Sequence, residues 1–196
     1  MKIIIVEGID NVGKSTLTKA LADVYPNYNV MVIHSDAKTV FVELVKTLKE
    51  LDYMDYKRAE TDKETIVVLD RSWKDEYVYG PLYRGKGFDE QRNYIWDIAA
   101  RLRKIPDLRD KTYEILMKAS PEFVIKHDDN KSFTSQMDYE TRVDRIKTET
   151  KLFDEMWSMN ELFLDNDHRM VINMEDSGEF LPLEDVKKLV KNTFNL

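Results

Sequence analysis

The sequence predicts a three-layer α/β fold, a five-stranded parallel sheet with helices on both faces. Three observations carry that reading. Short apolar runs alternate along the chain with helical periodicities, the pattern of strand–helix–strand units. The runs are near-continuous in apolar residues, as in strands buried on both faces. The first run passes through a glycine-spaced loop straight into a helix.

Ile3-Ile4-Ile5-Val6 is the first strand. The helix after it starts near Lys14, with Leu17, Ala20, Leu21 and Val24 at i, i+3, i+4, i+7, and Pro26-Asn27 stops it. Val30-Met31-Val32-Ile33 reads as a short buried strand, and Phe41, Leu44, Val45 and Leu48 mark the second helix. After a polar interval, Ile66-Val67-Val68-Leu69 forms a strand that ends at Asp70. Phe88 to Lys104 reads as a helix with Ile95, Ile98, Ala99 and Leu102 on one face, and Tyr113 to Met117 as the fourth strand. Pro121 opens a short helix that gives way to the polar segment His127 to Gln136. A long helix from about Tyr139 carries Val143, Ile146, Thr150, Phe153 and Trp157. Met170-Val171-Ile172 is the fifth strand. Pro182 opens the last helix, with Glu184 and Asp185 in its first turn and Val186, Leu189 and Val190 inward. No repeat or linker interrupts the 196 residues, so residues 1–196 are expected to form one domain.

Right-handed crossovers place the C-terminal end of every strand on one edge of the sheet. The glycine-spaced loop, His34-Ser35-Asp36, Asp70-Arg71-Ser72 and Ala119-Ser120 are therefore expected to converge there. A formal charge of −7 disfavours long nucleic acid as a partner, while a small anionic substrate remains compatible. The short basic cluster Arg101-Leu102-Arg103-Lys104 fits a solvated helix end. The absence of cysteine excludes disulfides and thiolate metal sites. No signal-type leader or bilayer-length apolar run is evident, so no membrane partner and a cytoplasmic location are expected.

Gly8-Ile9-Asp10-Asn11-Val12-Gly13-Lys14-Ser15 matches the G-x-x-x-x-G-K-[ST] phosphate loop of P-loop NTPases, in its proper place between strand and helix. Gly8 and Gly13 let the backbone curl so that the N–H groups around Asn11 and Val12 point inward, and the helix N-terminus adds positive potential. Lys14 then reaches the β- and γ-phosphates of ATP, and the Ser15 hydroxyl, followed by Thr16, holds Mg²⁺. Asp70, closing an apolar strand, suits Mg²⁺ opposite Ser15, or else caps the next turn. Arg71 suits a second phosphate, or else pairs with Asp70 or another neighbour. In the stretch RSWKDEYVYGPLYR, Trp73, Tyr77 and Tyr83 either stack on a base or pack the core, and Arg84 is a candidate phosphate contact. Asp36 can accept a proton if the acceptor is a hydroxyl.

Glu7-Gly8-Ile9-Asp10 running into Gly13-Lys14-Ser15-Thr16, together with Asp70-Arg71, resembles thymidylate kinases and their relatives. Asp70-Arg71-Ser72 is also similar to the Glu-Arg-Ser motif of deoxynucleoside kinases, and EYVYGPLYRG resembles thymidylate kinase-like proteins common in bacteriophages. The resemblance implies ATP phosphates and Mg²⁺ at Gly13, Lys14, Ser15 and Thr16, and Asp10 facing the acceptor sugar. It places Asp70 on the metal side and Arg71 at the acceptor phosphate. It further implies a lid at approximately residues 127–138, a possible homodimer, and the host cytoplasm if the protein is phage-encoded. Where such kinases carry an Arg-Glu-Pro type sequence, this chain has His34-Ser35-Asp36, which leaves the acceptor base open. Its lid segment, Lys126 to Ser132, has lysines but no arginine. Arg142 and Arg145, three apart on the long helix, are the candidate replacements, or else pair with Glu149 or Glu140. The expected activity is Mg²⁺-dependent phosphoryl transfer from ATP to a deoxynucleoside monophosphate, thymidylate or a modified pyrimidine preferred. The alternatives are a deoxynucleoside kinase, a kinase of modified bases in DNA, and a nucleotide sensor with little turnover.

Overall fold

The computed structural model describes residues 1–35, 41–58, 63–105, 107–128, 132 and 134–196. Its strands are β1 (Lys2–Gly8), β2 (Asn29–His34), β3 (Thr65–Asp70), β4 (Thr112–Lys118) and β5 (Arg169–Asn173). They pair in parallel in the order β2-β3-β1-β4-β5. The chain leaves β1 towards β2 and β3 on one side and returns to add β4 and β5 on the other. The end of β1 is thus a switch point where a crevice opens.

Helices cover both faces of the sheet. α1 (Lys14–Val24) packs against α7 (Leu183–Thr193). Among the others, α2 (Phe41–Arg58) meets α4 (Phe88–Leu102), α4 meets α3 (Asp75–Tyr83), and α3 meets α6 (Tyr139–Met159). The short α5 (Pro121–Lys126) also rests on α6. Local chemistry sets several boundaries. Ser120 caps α5 by accepting from the Phe123 N–H at 3.2 Å, Asp138 caps α6 by accepting from Thr141 N–H at 3.0 Å, and Asn160 ends α6 in the left-handed region. The core lies on both sides of β1, β3 and β4, whose apolar residues are buried. No helix among the described residues is long and apolar enough to cross a membrane.

One expectation needs correction, and two elements were not expected. β2 is not a buried strand: it is an edge paired only with β3, and Met31 and Val32 are 39% and 41% exposed. With one strand neighbour, a β-branched run keeps its pairing while half its surface stays open. Residues 75–83, given no element from the sequence, form α3 despite Pro81 inside it. A small hairpin, β6 (Glu175–Asp176) with β7 (Glu179–Phe180), follows β5. Its turn residues Ser177 and Gly178 both take positive φ, 52° and 81°, as a two-residue hairpin turn requires.

A buried charge cluster ties the turn before α3 to the far half of the sheet. Lys74 lies between Glu114 of β4 and Glu161, the latter at 2.8 Å. Arg169 donates to Glu114 at 3.0 Å and sits 3.9 Å above the Trp157 ring.

Candidate active site

The loop from Gly8 to Ser15 has the backbone its spacing demands. Gly8, Asn11 and Gly13 take φ of 139°, 62° and 87°. Gly8 is where this matters most, because a Cβ there would lie 2.2 Å from the Met117 carbonyl oxygen. Lys14 folds back over the loop and donates to the carbonyls of Gly8 at 2.8 Å and Ile9 at 2.6 Å. Burial and the nearby Arg71 lower its basicity, against the opposing pull of Asp10, Asp75 and Asp70.

Asp70 stands at the end of β3 next to this loop. Its Oδ2 accepts from the Ser15 hydroxyl at 2.9 Å and lies 3.1 Å from His34 Nδ1. Its Oδ1 is buried and has no hydrogen-bond partner among the described residues. A hydroxyl and a carboxylate with a spare buried oxygen are a donor set that fits Mg²⁺. No cluster of three His, Asp or Glu ligands exists among the described residues, so such an ion would complete its shell with phosphate oxygens and water.

Arg71 follows in a left-handed conformation, φ 72°, with its N–H bonded to the Val6 carbonyl. The guanidinium is gripped by Asp10 on one side and by Asp75 of α3 at 2.8 Å on the other, and lies 5.5 Å from the Tyr79 ring centre. It thus pairs with these acids and not with Asp70. Burial opposes ionisation of Asp10, yet Lys14 and Arg71 hold its carboxyl below the ordinary range. Asp10, Asn11, Gly13, Lys14, Ser15, Thr16, His34, Arg71 and Ser132 line one cleft of about 440 Å³.

The two candidate arginines of α6, Arg142 and Arg145, are not among the residues that line this cleft. Arg142 is buried against Asp128 at 2.5 Å, and Asp128 also accepts from the Asn11 amide at 2.7 Å. The long helix is thereby latched to the phosphate loop, and Arg142 pairs with neither Glu149 nor Glu140. Arg145 lies 5.5 Å from the Tyr83 ring centre, and the Tyr83 hydroxyl donates to Glu149. Burial raises the Glu149 carboxyl to about 7, with the Asp10 charge adding to the effect.

The structure does not bring every candidate here. Trp73 is 1% exposed and packs among Ile3, Ile5, Leu69 and Leu102, so no ring face is open to a base. Tyr77 is also buried; its hydroxyl donates to Glu155 at 3.3 Å, on the outer side of α3 beside Trp96. For both, core packing replaces base stacking. Arg84 is paired with Glu76 and does not line the cleft. Asp36, and residues 129–131 and 133 of the lid segment, lie outside the described residues.

Nearly the whole chain superposes on solved structures of two kinases and of a nucleotide-bound protein. The Bacillus subtilis YorR protein, solved in complex with phosphorylated GDP, matches 99% of this chain and 98% of its own at a TM-score of 0.54 and 20% identity. Thymidylate kinase from Candida albicans matches 99% and 91% at 0.54 and 14%. Deoxyadenosine kinase from M. mycoides, solved with dCMP and dCDP, matches 98% and 98% at 0.52 and 16%. The fold is that of the P-loop nucleotide kinases. No protein-family model matches the sequence, and no curated protein does.

Within this kinase fold, Asp75 and Asp128 are site groups that sequence reasoning passed over, and Glu149, expected only as an arginine partner, accepts from Tyr83. Asp75 stands four residues after Arg71, but Arg71 precedes α3 in a left-handed conformation, so helical spacing was no signal for the pair. Asp128 carried no such signal, because its partners Asn11 and Arg142 are distant in sequence.

Proposed function

We propose that the protein transfers the γ-phosphoryl group of ATP to the phosphate of a deoxynucleoside monophosphate, with thymidylate or a modified pyrimidine preferred. One observation supports this reading above the others. The phosphate loop, the Ser15–Asp70 pair and the Asp10–Arg71–Asp75 clamp open into the same cleft. A donor phosphate chain and an acceptor phosphate thus have facing sites.

The acceptor phosphate is already ionised, so positioning and charge neutralisation carry the reaction. In this reading the loop amides from Gly8 to Thr16 cradle the donor phosphates, and Lys14 exchanges its two carbonyl partners for phosphate oxygens. Ser15 and Asp70 hold Mg²⁺, which would neutralise charge on the phosphates when bound. Arg71 takes the acceptor phosphate in its planar fork, and Asp10 faces the sugar. Arg142 leaves Asp128 for the transferred group as the segment 127–138 closes, with Arg145 behind it. Phe180, beside Gly13 and 38% exposed, packs on Phe123 and His127 and offers a ring face to the donor base.

A second reading, a deoxynucleoside kinase, is favoured by Glu149. A buried carboxyl at about 7, beside Tyr83 and near Asp10, is tuned to take a proton from a hydroxyl acceptor. Incubation with ATP, Mg²⁺ and parallel panels of deoxynucleoside monophosphates and deoxynucleosides separates the two. Diphosphate from thymidylate is expected. Product from nucleosides alone overturns the first reading in favour of the second.

A further inference from the structure

His34 lines the cleft but has no part in the transfer as proposed. It is the last residue of β2 and stands directly opposite Asp70 in the parallel β2–β3 ladder. Ser35 continues that pairing by donating its N–H to the Asp70 carbonyl at 3.0 Å. Opposite residues in a ladder present their side chains on the same face, so the register itself puts the imidazole beside the carboxyl. A slip of one residue would send it to the other face. Asp70 Oδ2 is then flanked by two further donors. Ser15 Oγ lies 2.9 Å from it and His34 Nδ1 3.1 Å. Neighbouring ligands of an octahedral ion bound at about 2.0–2.1 Å stand about 2.8–3.0 Å apart. Both separations are close to that edge, so hydroxyl, carboxyl and imidazole already have the spacing of successive adjacent ligands. Asp70 is 4% exposed, and its Oδ1 is buried with no partner among the described residues. A carboxyl left under-satisfied at the mouth of a phosphate loop is where a cation is wanted.

We infer that His34 is a third protein ligand, with Ser15 and Asp70, of the divalent cation that accompanies the nucleotide, and that its nitrogen shifts the site's selectivity from Mg²⁺ towards first-row transition ions such as Co²⁺. The inference rests on the nucleotide reading above and adds to it a ligand and a class of cation. Hydroxyl and carboxyl oxygens suit Mg²⁺, whereas an imidazole nitrogen suits the later divalent ions. A neutral imidazole has one ring nitrogen free for a metal, and the position of the ring proton decides which. Ligation through Nδ1 puts that proton on Nε2, which a side chain 60% exposed can exchange with solvent. Only two of the three donors are His or Asp, so phosphate oxygens and water still complete the shell.

The test reads the cation itself and not turnover. Mn²⁺ is the paramagnetic probe, added to uniformly ¹⁵N-labelled protein with an unlabelled, non-hydrolysable ATP analogue, and its electron spin-echo envelope is recorded. Wild type should show the coupling of a directly bound ¹⁵N. His34→Asn should not, although its amide can still hydrogen-bond to Asp70. His34 is exposed at a strand end, so this variant should melt as wild type does. Calorimetry then measures analogue binding in Co²⁺ and in Mg²⁺. His34→Asn should weaken binding in Co²⁺ at least about tenfold more than binding in Mg²⁺, the scale that substitutions around a metal usually carry. A wild-type echo without protein nitrogen overturns the ligation. Equal losses in the two cations also overturn it, and make His34 an outer hydrogen-bond partner that orients Asp70. If wild type binds no analogue with either cation, the nucleotide reading fails, and Mn²⁺ added alone, read by the same echo, decides the ligation by itself.

Discussion

Lys14 and Gly8 state the residue-scale argument most plainly. Lys14 donates to two carbonyls of its own loop, lies 3.9 Å from Asp10 and has a basicity lowered by burial, so it is a cation prepared to meet anionic oxygens. Lys14→Ala is expected to lower kcat by about 10²–10³-fold, the usual loss for one preorganised donor at a developing charge, in a coupled assay of ADP release. Gly8 is a backbone matter. Gly8→Ala forces a Cβ against the Met117 carbonyl in a conformation L-residues avoid, and should cost about 3 kcal/mol in denaturant unfolding. Both residues were legible in the sequence because the spacing of the phosphate loop encodes a backbone shape. The aromatic residues were not. Trp73 and Tyr77 precede or open a helix that buries one face, and only the helical phase decides which rings reach the cleft. Gly80 and Pro81 hid that helix, since both disfavour helix interiors.

At the scale of elements, the site depends on how firmly the turn between β3 and α3 is held. Arg71 and Asp75 belong to that turn, and Lys74 within it is buried between Glu114 and Glu161. Lys74→Ala leaves two buried carboxylates facing each other and should destabilise the fold by about 3–5 kcal/mol in urea. Lys74→Met is the informative companion, because it restores packing volume but no charge, and should be as harmful for the same reason. The apolar runs of β1, β3 and β4 were legible because a strand buried on both faces needs no polar alternation. β2 carries the same composition at the sheet edge, and composition alone does not say how many neighbours a strand has. The hairpin of β6 and β7 is too short for periodicity; its Ser177-Gly178 turn was the one available signal.

At the scale of the whole molecule, the crossover rule turns separate motifs into one cleft. Three segments distant in sequence, ending β1, β2 and β3, meet at a single edge, and α6 is latched to the phosphate loop through Arg142 and Asp128. That convergence was legible from topology, whereas the latch was not, since it joins partners with no shared pattern. Buried acids give the molecule a pH signature. Glu149, raised to about 7 by burial and the Asp10 charge, lies above its unfolded value of about 4.3. Its contribution to stability is therefore complete below about pH 4.3 and lost as pH rises through about 7. Glu149→Gln should flatten that part of the unfolding-against-pH profile, and an unchanged slope would place the titrating group elsewhere. The account as a whole stands on the phosphate loop and the Ser15–Asp70 pair forming one nucleotide site. Calorimetric titration with a non-hydrolysable ATP analogue, with and without Mg²⁺, tests this most directly in wild type, Lys14→Ala and Asp70→Asn. The account predicts Mg²⁺-enhanced binding that Lys14→Ala abolishes and an enhancement that Asp70→Asn removes. Equal binding by all three proteins would contradict it.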